Sequence, residues 1–189
     1  MQNVTRLPLL YLDRTPMYGV IIQVLVATYG VALIASLGGY IGFTPLELIL
    51  SAVTIMMTAL FVNVLCASAT KVPIQHYSSV ITALILIFLL LPSTMPLDLF
   101  ASAVITALAI ASKYVFAYKK QHLVNPVAAG LVLGSLFGFG GGAWWVASAI
   151  LFVPILIGGL LVAKKVKRLD MVAVFFGGSF WRLHDPDVE

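Results

Sequence analysis

The stretch Ser112–Gly134, SKYVFAYKKQHLVNPVAAGLVLG, decides how this chain is read. An apolar run resumes there at Asn125-Pro126, and only about 14 residues follow before the glycine-rich FGFGGGA break. A helix rising about 1.5 Å per residue covers about 21 Å in that distance, short of the ~30 Å hydrocarbon core of a bilayer. The spacing therefore predicts a helix that begins inside the membrane. Its unpaired first-turn N–H groups must then face protein or a wet cavity, because lipid cannot satisfy them.

The rest of the chain makes lipid the relevant solvent. Of 189 residues, 61% are hydrophobic and 10% charged, and the mean hydropathy is +1.08. No soluble domain of this size hides so much apolar surface, so the fold class is an all-α polytopic membrane protein. The net charge of +4 sits in short clusters between apolar runs and not along one face, which argues against a nucleic-acid partner. Cys66 is the single cysteine, which excludes an intrachain disulfide and a cysteine metal set. The opening MQNVTRLPLLYLDRTP carries Asp13 and two arginines and lacks both a long apolar core and a small-residue cleavage site, so it does not read as a cleaved signal peptide.

Six membrane segments are expected, at 17–38, 45–67, 77–92, 97–118, 126–139 and 143–164, within a transmembrane domain of 17–168. An N-terminal segment, 1–16, precedes it. An interfacial stretch and acidic tail, 169–189, follow it, with apolar residues 171–181 too short to span. Arg6 and Arg14, Lys71, Lys119 and Lys120, and Lys164 to Arg168 all fall on one side. The loops GGYIGFTP, PSTMPLD and GFGGGA hold no Lys or Arg, so both termini are expected in the cytoplasm. Trp144 and Trp145 are expected in the outer aromatic belt.

Segments three and five are the short ones, and both open on the basic side. Two membrane-embedded helix starts on one side suggest a shared cavity. Asn125 can cap its helix while Pro126 takes the first helical position. Ser78, Ser79 and Thr82 open the other helix, and His76 and His122 precede the two starts, where each could donate a hydrogen bond or proton. Such starts suit an anionic or carbonyl-rich group, for example a phosphate or a flavin pyrimidine ring. Gln23, Asn63 and Lys113 should face the bundle interior or reach an interface, Lys113 by snorkelling. Gly38-Gly39, Gly158-Gly159 and Gly177-Gly178 read as close-packing or hinge sites. No P-loop, dinucleotide fingerprint, metal cluster or hydrolytic triad is present.

The runs SSVITALILIFLLLP, SKYVFAYKKQHLVNPVAAGLVL and the WW segment ending in KKVKRLDMVAVFF resemble the membrane domain of the RnfD/NqrB family. That family supplies membrane components of the Rnf complex and of the sodium-pumping NADH:quinone reductase. The likeness is closer still to the short form fused to FAD/NAD ferredoxin-reductase-like modules. It covers roughly residues 5 to 176, with His122, Asn125, Pro126 and Ala128 as its most specific element. The resemblance implies an electron carrier of the bacterial cytoplasmic membrane that binds a flavin, FMN or riboflavin, among helix ends and trades electrons with a soluble reductase. Its flavin contacts here would be Ser78, Ser79, Thr82, His122, Asn125 and Pro126.

The chain departs from the family in carrying one half of the two-half architecture and no S-G-A-T flavin-attachment sequence. Val80 and Ile81 stand where small residues are expected, which argues against covalent FMN on Thr82. Two chains pairing as a parallel homodimer would rebuild the two-half architecture. Two other classes fit the same residues: a small-solute transporter or channel, and a membrane anchor that recruits a reductase through Lys164 to Arg168.

Overall fold

A computed structural model describes residues 16–74, 76–118, 121–122 and 124–175, with side chains left undescribed over 117–123. The expectations placed on Arg6, Arg14, Lys119, Lys120, Gly177-Gly178, the acidic tail and the side chain of His122 lie outside the described residues. The helices are α1 (Met17–Leu37), α2 (Pro45–Thr70), α3 (His76–Leu89), α4 (Pro96–Val115), α5 (Pro126–Leu136) and α6 (Ala149–Lys165). Residues 169–175 add a short helical turn. A two-residue antiparallel hairpin, Ala117–Tyr118 against Gln121–His122, interrupts the run after α4. The fourth segment therefore ends at Val115 and not at 118, because the chain turns extended to reach the start of α5.

Helices α1, α2 and α4 are long and apolar enough to cross a membrane, by length and composition. Their patterning is inverted relative to a soluble protein. Leu46, Met57, Phe61, Leu97 and Phe100 are exposed, while Thr28, Ser51, Asn63, Ser102, Thr106 and Lys113 are buried. Only a protein whose solvent is hydrocarbon stabilises that distribution, since an exposed apolar side chain costs nothing there and a lipid-facing polar one does. The chain is a helical membrane protein.

Local sequence sets each boundary. Thr44 caps α2 by accepting from the Glu47 N–H at 3.3 Å, and the Glu47 carboxylate accepts from the Thr44 N–H at 2.7 Å, with Pro45 in the first turn. Gly39, at φ +70°, ends α1 in a left-handed turn that a side chain would strain. On α2, Leu48, Ser51, Ile55, Ala59, Asn63 and Ala67 recur every three or four residues and are all buried, forming one inward stripe.

Helix α3 is central, packed against α1 and α2, with smaller contacts to α4 and α5. Half of its residues are buried, including Ser79, Thr82, Leu84, Leu86 and Phe88. At 14 residues it is about 21 Å long, so its ends need cover. The segment before α6 covers the far end. The Ala143 N–H donates to the Leu89 carbonyl at 2.7 Å, and the Trp145 indole N–H donates to the Ile87 carbonyl at 2.9 Å. Trp145 also stacks edge-on against Phe43 and lies tilted against Phe88. Trp144 is exposed, as a belt residue should be, but Trp145 is an internal cap. Residues 143–148 are thereby drawn out of the sixth segment, and α6 starts at Ala149.

Helices α4 and α5 pack through a small-residue face. A Cβ on Gly130 would fall 2.5 Å from the Ala109 Cβ, and one on Gly134 would fall 2.5 Å from the Ile105 Cγ1. This G-x-x-x-G pair brings the two backbones together. Gly158 does the same for α6 against Val24 of α1, whereas Gly159 faces open space.

Candidate functional site

The residues with chemical potential gather where α3 begins and α4 ends. On α4, Ser102, Thr106, Ala109 and Lys113 recur at helical spacing and are buried, which carries the last of them to the α3 start. The Lys113 ammonium donates to the Ser78 carbonyl at 2.8 Å and to the Ser78 hydroxyl at 3.2 Å. Only 5% of Lys113 is exposed. The lysine does not snorkel; it folds inward onto the first turn of α3. A buried ammonium costs several kcal/mol of lost hydration, so membrane helices keep one where it meets a partner or a ligand.

One residue further along both helices, a neutral cluster forms. The Ser79 hydroxyl and the Tyr114 hydroxyl each donate to Asn63 Oδ1 at 2.7 Å, and Tyr114 also reaches the Asn63 carbonyl at 3.2 Å. Asn63 of α2 thus ties α3 and α4 together and fixes the register that sets Lys113 against Ser78. Its Nδ2 is buried, Asn63 being only 1% exposed, and has no hydrogen-bond partner among the described residues. An idle buried donor costs about 1–3 kcal/mol.

The other expected contacts are placed as follows. The Thr82 hydroxyl is buried and donates back to the Ser78 carbonyl at 2.9 Å. That bond holds it within the helix. Asn125 caps α5, its Oδ1 accepting from the Val127 N–H at 3.0 Å, with Pro126 at the first helical position. Asn125 is exposed and Pro126 half-buried. Among the described residues no hydrogen bond joins Asn125 to Ser78, Ser79 or Thr82; the two starts are linked through α4, which packs on both helices. His76 opens α3 and is exposed. Gln23 lies exposed on α1, not in the interior. Among the described residues no group of three metal-ligating side chains is present.

Sequence reasoning puts Asn63 in the interior or at an interface and has Lys113 snorkel; it pairs neither with α3, and it passes over Tyr114. The available signal is the inward stripe of α2, which ends at Asn63 and Ala67 among small residues. A lone asparagine in such a stripe needs partners from the facing helices.

Set against family models, curated proteins and solved structures, the chain matches none.

Proposed function

We propose that this chain is a membrane electron carrier of RnfD/NqrB-like build that binds a flavin non-covalently at the α3–α4 junction. In this reading all six helices lie in the bilayer, α3 and α5 begin below the cytoplasmic surface, and both termini are cytoplasmic. The observation that carries it is the Lys113 ammonium, buried against the first turn of α3. The cation and the N-terminal dipole of α3 add to one positive potential, which favours an anionic group. When bound, a flavin takes up and releases electrons one or two at a time.

The chain's own residues hold and shield it. Lys113 stabilises negative charge, Ser78 and Ser79 orient the donors, and Leu84, Leu86 and Ile110 in the adjoining core keep water out. Asn125 and Pro126 open α5 on the side where a soluble reductase would dock. The satisfied Thr82 hydroxyl favours non-covalent binding.

The test is an absorption spectrum of the purified protein before and after dithionite, repeated after addition of FMN. The expected result is a yellow protein whose visible bands bleach on reduction, with Lys113→Met weakening FMN binding by about tenfold, or about 1.4 kcal/mol. A colourless preparation that takes up neither FMN nor riboflavin refutes the proposal.

A further inference from the structure

Helix α6 ends in a cationic turn. Its last turn carries Lys164 and Lys165, and Lys167 and Arg168 follow just past it, with Asp170 as the single carboxylate over residues 164–175. The Arg168 N–H donates to the Ala163 carbonyl at 3.0 Å and the Lys167 N–H to the Lys164 carbonyl at 3.1 Å, with Lys167 at φ +56°. This left-handed turn, a place glycine usually fills, here carries a lysine and redirects the chain into the helical stretch 169–175. Lys164, Lys167 and Arg168 are all exposed. Complementing the helix dipole accounts for Lys164 and Lys165, but Lys167 and Arg168 lie outside the helix. Among the described residues the Arg168 guanidinium meets only Met171 Sδ, a weak acceptor at 3.6 Å, which leaves most of its donor fork for a phosphate.

The residues after the turn are apolar and uncovered: Leu169 is 45% exposed, Met171 59% and Val174 74%. Cations beside bare apolar side chains match a bilayer interface, where phosphates lie directly above acyl chains. An acidic protein surface meets the charges alone. We infer that the end of α6 binds the anionic headgroups of phospholipid. Lys164, Lys167 and Arg168 hold the phosphates while Leu169, Met171 and Val174 enter the acyl boundary. The inference rests on α6 lying in the bilayer, as proposed above, and is independent of the flavin.

The test uses full-length protein with Cys66→Ser and Val174→Cys, fluorescently labelled at position 174, in vesicles of phosphatidylcholine and phosphatidylglycerol. Traces of acyl-spin-labelled phosphatidylglycerol or phosphatidylcholine quench the label on contact. Both are expected to quench, with the phosphatidylglycerol probe enriched at the label about fivefold, the worth of one basic side chain near an anionic surface. Salt at about 1 M shortens the screening length to about 3 Å and should erase the preference. The triple variant Lys164→Gln, Lys167→Gln, Arg168→Gln should lose the preference and keep the quenching; should it insert poorly, the salt arm decides. Equal quenching by the two probes at low salt overturns the inference. A label reached by aqueous iodide and by neither lipid also overturns it, and leaves the turn open to a soluble partner. The same label at Ile157, exposed on α6, should be quenched by both lipids. An unquenched Ile157 label removes α6 from the bilayer, and the six-helix arrangement falls with it.

Discussion

Replacing Gly130 with alanine tests the packing that holds α5 in place. The added Cβ would lie 2.5 Å from the Ala109 Cβ, 2.8 Å from the Ile105 carbonyl oxygen and 3.0 Å from the Ala109 Cα. Ordinary carbon contacts fall at about 3.5–4.0 Å, so α5 must withdraw from α4 by about 1 Å. Two of the three contacts are backbone, and no rotamer change relieves them. Overpacking of this kind costs about 1–3 kcal/mol, and the better helix propensity of alanine returns up to about 1 kcal/mol. The net expectation is a loss of about 1 kcal/mol. For a chain of this size that lowers the midpoint by about 2–4 °C, read by thermal unfolding in detergent. Gly159→Ala is the internal control, since nothing lies within 4 Å of its added Cβ; its midpoint should hold or rise. Adding Ala109→Gly to the Gly130 variant removes the nearest clash and should recover part of the loss. A Gly130→Ala protein that melts at or above the wild type refutes the reasoning.

Trp145→Phe keeps a ring beside Phe43 and Phe88 but deletes the donor to the Ile87 carbonyl, so stability should fall by about 1–3 kcal/mol in the same melt. Thr44→Ala breaks the reciprocal cap of α2 and should cost about 1 kcal/mol; an unchanged midpoint would show that the cap is redundant with Pro45. For topology, single cysteines at Gly141 and Lys71, both exposed, are placed in a Cys66→Ser background. An impermeant maleimide added to intact cells should label only position 141, and outside labelling of both positions contradicts the six-helix arrangement.

Hydropathy alone locates α1, α2 and α4, because a helix surrounded by hydrocarbon is apolar on every side. Proline and glycine fix starts and stops where the backbone demands them, as at Pro45, Pro126 and Gly39. What hydropathy does not carry is the identity of the neighbour. Trp145 looks like a belt residue until the carbonyls at the end of α3 require a donor. Lys113, five residues short of the end of its apolar run, has the reach both to snorkel and to turn inward; the choice depends on Ser78, 35 positions away. The G-x-x-x-G spacing of Gly130 and Gly134 is written in the sequence, but which helix it meets is not, since Ile105 and Ala109 carry no mark of their partner. Asn63 reads as interior from its stripe, but its idle nitrogen is visible only when both hydroxyls are placed on its oxygen.

The two ends of α3 are finished by residues made much later. Lys113 lies 24 positions and Trp145 lies 56 positions beyond Leu89, so neither has emerged from the ribosome when the end of α3 does. At about 21 Å the helix is too short to settle across a bilayer unaided. In the six-helix arrangement proposed above, its insertion is therefore a delayed event: α3 waits near the membrane surface for α4 to arrive, and the segment ahead of α6 seals it last. A chain truncated before Ala143 would leave α3 without its final cover and should be cleared by the cell's membrane proteases.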